Sequence, residues 1–128
     1  MQVVKVHRNI GKLSQDISIG KHRLIADEPI DAGGEDRGPA PHDYLAAALA
    51  SCTAITIRMY CLHKNWPLED AEITVTLSKQ GEITRLDRKI VLKGILEDEQ
   101  KHRLIAVANS CPVHKTLHGK IEIETSLG

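Results

Sequence analysis

The sequence predicts an α+β fold in which antiparallel strands wrap one long, buried central helix. Three observations lead there: a charge-free run from Tyr44 to Ile57, β-branched segments of period two on both sides of it, and an amphipathic, acid-led stretch after Glu97. With 128 residues the chain reads as a single domain over 1–128, large enough for a real core. Aromatic residues make up only 2% and phenylalanine is absent, so that core must be built from Leu, Ile, Val and Ala.

Taken in order, residues 2–8 and 15–26 are short, β-branched and punctuated by Gly11 and Gly20, and they read as two or three antiparallel strands. Residues 27–38 (DEPIDAGGEDRG) are acidic, glycine-rich and aperiodic: a loop ending near Arg37. The central helix is placed at about 41–64. Prolines and Asp43 open it, and His63, Lys64 and Asn65 supply its end before Pro67. Its uncharged stretch is too short and too alanine-rich to span a bilayer, which takes about 20 apolar residues. A helix apolar nearly all round should be covered on every side, with Cys52 in the middle of the buried surface.

Beyond the helix, Ile73, Val75 and Leu77 alternate with Glu72, Thr74 and Thr76, giving a strand over 71–79; residues 82–93 form a second, and the pair makes a hairpin. Glu97 to Asn109 reads as an amphipathic helix with an acidic first turn. A short helix follows, capped by Ser110 or Cys111 with Pro112 in its first turn, and the alternation in KIEIETSL predicts a last strand.

Charge is balanced at formal zero, which leaves no electrostatic footprint for nucleic acid or an anionic membrane, and neither is expected as a partner. The N-terminus lacks the pattern of a secretory signal. Three cysteines, an odd number, argue against a disulfide-stapled scaffold and for a reducing cytoplasm.

Those cysteines differ in setting. Cys52 and Cys61 lie about 180° apart around one helix and roughly 13 Å apart along it, so they cannot bond to each other. Cys61 reads as a packing residue. Cys111, in the first turn of a helix, faces free backbone N–H groups and the positive dipole end, with His114 three residues on. Cys52, mid-helix, needs a cation delivered by another segment before it can act as a thiolate. A metal site from Cys111, His114 and His118 lacks a fourth ligand at diagnostic spacing, and no metal or cofactor is expected. A papain-like pair would need His42 or His114 beside Cys52, which nothing in the sequence arranges.

GPAPHDYLAAALASCTAITIRMYC closely resembles the central-helix signature of the OsmC/Ohr family, the osmotically inducible and organic hydroperoxide resistance proteins, and ANSCPVHKTL resembles that family's second-cysteine motif. The resemblance implies an intertwined homodimer with paired central helices and active sites at the interface. It implies a peroxidatic Cys52 that is oxidised by an organic hydroperoxide to a sulfenic acid. Cys111 then resolves this as an intramolecular disulfide, and a dithiol reductant such as a lipoylated protein reopens it. It further implies an activating arginine from the N-terminal region, held by a carboxylate on the central helix. Arg8, Arg23 and Arg37 all precede the helix, and Arg37 or Arg23 is favoured. Where the peroxidase subgroups carry a glutamate ten residues before the first cysteine, this chain has His42, leaving Asp43 as the arginine's anchor. That departure motivates an alternative: an OsmC-fold dimer that binds a hydrophobic small molecule or senses redox state. A third reading has the cysteines only packing.

Overall fold

The computed structural model describes all residues, Met1–Gly128. It is α+β, with the chain gathered into two compact units, Met1–Leu45 and Ala46–Gly128.

In the first unit, β1 (Val4–Arg8), β2 (Gln15–Ile19) and β3 (His22–Ala26) form an antiparallel sheet in the order β1-β2-β3. β2 and β3 are joined by a tight turn through Gly20, whose φ of 58° lies where glycine is least strained. The loop after β3 is folded around one buried carboxylate. Asp27 accepts backbone N–H bonds from Glu28 (2.8 Å), Glu35 (3.3 Å) and Arg37 (3.1 Å), and its own N–H donates to the Pro39 carbonyl. Burial by itself would raise this carboxyl's pKa; the three N–H donors, with the charge of Arg37, bring it below its ordinary value. Gly38 passes so close to the Ile25 carbonyl that a Cβ there would collide with it. The stretch expected to be an aperiodic loop is thus held by its own backbone donors.

Helix α1 (Pro41–Lys64) starts and ends where the sequence places it. Asn65 closes it with a left-handed φ of 56°, a role asparagine fills readily. At 24 residues, with a mean hydropathy of 1.6 over its most apolar 18, it is by length and composition long enough to cross a membrane, contrary to the expectation from its uncharged run. Its buried stripe is Leu49, Thr53, Ile57 and Cys61, at spacings of four. The expected all-round cover is not found in the chain: Ile55, Met59 and Leu62 are exposed along another face.

In the second unit, β4 (Leu68–Gln80) and β5 (Ile83–Gly94) make the expected hairpin, with Ile73 opposite Ile90, Val75 opposite Arg88 and Leu77 opposite Leu86. A bulge interrupts the register between Leu68 and Asp70, and Arg58 of α1 donates to the carbonyls of Leu68 and Glu69 there, 2.8 Å each. Helix α2 (Asp98–Ala108) opens with a capping box between Glu97 and Gln100, and α3 (Pro112–His118) follows. Ile57 and Cys61 of α1, Leu68 of β4, and Leu104 and Ala108 of α2 form the core, with Ile73, Ile90 and Leu92 packed against it. Burial pushes the Cys61 thiol's pKa up, against a smaller lowering by Arg58, in keeping with a packing role.

The predicted last strand is not formed. Residues 120–128 are exposed and form no ladder. Their alternation is real, but a strand needs a neighbouring edge, and the chain brings none beside them.

Leu104 is fully buried between α1 and the hairpin. Leu104→Ala should cost about 2–5 kcal/mol of unfolding free energy, lost transfer plus cavity. Urea unfolding followed by circular dichroism measures it; a loss below 1 kcal/mol would place this residue outside the core.

Candidate functional site

Cys111 sits at the cap of α3 and is fully buried. Its Sγ accepts the His114 backbone N–H at 3.3 Å, so the sulfur serves as the helix cap. Thr53 Oγ1 lies 4.0 Å from the same sulfur. The Thr53 proton goes to the Leu49 carbonyl (2.7 Å), as β-hydroxyl side chains in helices commonly arrange. Cys52, the preceding residue of α1, is half-buried rather than enclosed, and its sulfur touches Thr56 Oγ1 at 3.9 Å. At the middle of α1 the buried stripe therefore runs through Thr53, with Cys52 one step round the helix. All three cysteines are free thiols. Across 58 residues of sequence, then, the fold brings the second thiol to the residue next to the first.

The cation at this place is Arg88, from the inward row of β5. Nη1 donates to Thr53 Oγ1 (3.0 Å) and to the Ala108 carbonyl (3.2 Å). Nη2 donates to Asn109 Oδ1 (2.8 Å) and meets His114 Nδ1 at 3.0 Å. Since a guanidinium can only donate, His114 must accept at Nδ1 and carry its proton on Nε2. Burial first, then the charges of Arg88 and His118, lower the His114 pKa below its ordinary value, which agrees with that neutral tautomer. One side chain thus ties β5 to α1, to the end of α2 and to α3.

The arginines and the carboxylate favoured from the sequence make local contacts within the first unit. Arg37 pairs with Glu35 at 3.7 Å, and both side chains are exposed. Arg23 donates to the Gly20 and His22 carbonyls, 3.1 Å each, and Arg8 to the Gly11 carbonyl. Asp43 accepts the Ala40 N–H at 2.9 Å, a helix-start contact, and His42 is exposed in the same turn. Arg88 was missed, although a signal existed: in the row Thr84, Leu86, Arg88, Ile90, Leu92 it is a charge where the alternation calls for an apolar residue. His114 turns its ring to Arg88, and no three His, Cys, Asp or Glu side chains gather as metal ligands.

Two outcomes follow. Arg88→Met, which strands buried acceptors on three elements, should lower unfolding free energy by about 3 kcal/mol in urea titration. Arg88→Lys should recover less than half of that, because an ammonium lacks the planar fork. For His114, a base whose pKa is lowered in the fold, the unfolded chain binds the proton more readily. Its contribution is therefore whole above pH 6.5 and is lost as pH falls below that value. His114→Gln, which keeps an acceptor for Arg88 and cannot take up a proton, should gain in melting temperature relative to the wild-type chain between pH 7.5 and 5; the opposite trend would refute the assignment.

Comparison with known proteins agrees with this architecture. Among curated proteins none matches the chain. Solved structures do: the organic hydroperoxide resistance protein OsmC of Legionella pneumophila is 25% identical, with a TM-score of 0.70 over 93% of this chain and 90% of that one. An OsmC-like protein of Mycoplasma pneumoniae is 19% identical, with a TM-score of 0.79 over 93% of this chain and 88% of that one. The organic hydroperoxide resistance protein OhrB of Bacillus subtilis is 21% identical, with a TM-score of 0.64 over 93% and 91%. The last two likenesses, at lower identity, speak to the fold. The profile described as OsmC-like protein matches residues 33–126, taking in α1, the hairpin and the Cys111 turn, and on that match the chain belongs to the OsmC-like protein family.

Proposed function

We propose that the protein is a thiol-dependent peroxidase that reduces organic hydroperoxides. The single observation that supports this most is the convergence on Thr53: Cys111 lies against its side chain, and Cys52 is its neighbour in α1. In the reaction, the Cys52 thiolate attacks the terminal peroxide oxygen. The O–O bond breaks, the alcohol leaves with a proton, and Cys52 becomes a sulfenic acid. Cys111 then attacks that sulfur; a disulfide forms and water departs. A dithiol reductant, such as a lipoylated protein, restores both thiols by exchange, and a reducing cytoplasm suits such a cycle.

Relatives in the family carry the name of organic hydroperoxide resistance proteins, which supports the choice of oxidant. The half-exposed Cys52 would be accessible to a peroxide, and a resolving Cys111 would capture the sulfenic acid before a second oxidation. The exposed stripe of Ile55, Met59 and Leu62 on the same helix is the surface a second copy would cover in a homodimer. A second reading, a non-catalytic OsmC-fold dimer that binds a small molecule or senses redox state, draws on a cavity of about 470 Å3 beside Arg88.

Intact-mass measurement after one equivalent of cumene hydroperoxide tests the proposal. The reduced wild-type protein should lose two hydrogens. Cys111→Ser should instead gain one oxygen at Cys52, and Cys52→Ser should not change. An unaltered wild-type mass would end the peroxidase reading.

A further inference from the structure

The guanidinium of Arg88 is a half-buried cation without a counter-charge. Its four terminal N–H groups are taken by neutral acceptors: a hydroxyl, a backbone carbonyl, an amide and an imidazole. The ion pairs in the chain are Arg37–Glu35 and Arg85–Asp87, and neither includes Arg88. His114 adds no positive charge, since its ring accepts from Arg88 and its lowered pKa keeps it neutral. An ion taken part-way out of water is costly unless an opposite charge answers it. No anion within the chain answers this cation, and Arg88 Nε–H makes no hydrogen bond within the chain.

Arg88 lines the cavity of about 470 Å3, within the range of small-molecule sites. Arg88, Asn109 and His114 are among its polar lining residues. Leu86 and Ile90 flank the arginine along β5, and Ile105 of α2 adds to the apolar lining. A cation lining a cavity beside aliphatic side chains favours a ligand that is both anionic and aliphatic. We infer that this cavity is a binding site for an organic monoanion, a carboxylate carried on an aliphatic chain, with the carboxylate on Arg88. The site uses neither cysteine and holds whether or not the thiols turn over.

Calorimetric titration of the full chain at pH 7.5 with octanoate, 1-octanol and octylammonium tests this. Octanoate should bind saturably and at least about tenfold more tightly than either of the others, the margin expected of a charge-assisted contact. Arg88→Met should abolish the preference. Since that variant removes a structural tie, a second one carries the test if it fails to fold: His118→Glu places a carboxylate on the exposed rim of the cavity and should weaken octanoate about tenfold while leaving 1-octanol unchanged. Cys52→Ser should bind octanoate as the wild type does, which separates this site from the peroxidase chemistry. Equal affinity for octanoate and 1-octanol, no saturable octanoate binding, or indifference to His118→Glu would each overturn the assignment.

Discussion

Arg88 holds the second unit together at the point where its helices meet the hairpin. Without its fork, the hydroxyl of Thr53, the last carbonyl of α2 and the ring of His114 would face one another as acceptors with no donor between them. Three elements distant in sequence converge because a single planar cation can satisfy all of them at once. The position of Cys111 depends on the same convergence. The thiol is fixed by the start of α3, and His114, three residues on, is fixed by the arginine.

This arrangement gives the two thiols different surroundings in a way that helix position alone does not reveal. Cys111 is enclosed and hydrogen-bonded; Cys52, expected to be the deeper one, is the more open. The difference is a matter of one residue. On a helix, neighbours are 100° apart, so a stripe passing through Thr53 leaves Cys52 at its edge. Threonine suits the buried position because its hydroxyl can return its proton to the Leu49 carbonyl and still accept from Arg88.

Most of the fold was legible in the sequence where the signal was local. The limits of α1 were written in Pro41 and Asn65, the hairpin in the alternation of 71–79 and 82–93, and the cap of α3 in Cys111-Pro112. What was not legible depended on partners far along the chain. The alternation of 120–128 states a capacity to be a strand, yet pairing requires an edge that the chain does not present. The exposed apolar face of α1 is the same kind of case: hydropathy marks a surface to be covered and says nothing of what covers it. The site was half legible. The cysteine motifs were visible at once. The misplaced charge of Arg88 in the inward row of β5, by contrast, passed as ordinary strand polarity.

The cap of α3 has a further bearing. A seven-residue helix is too short to persist on its own propensity, and its first turn leans on a sulfur atom, a weak acceptor to begin with. Chemistry at that sulfur changes its geometry and its lone pairs together. Bonding Cys111 to another atom therefore loosens the first turn of α3, and through His114 disturbs the grip of the arginine. In this protein a single sulfur atom is also a fastening, so what it is bonded to bears on the segment that follows.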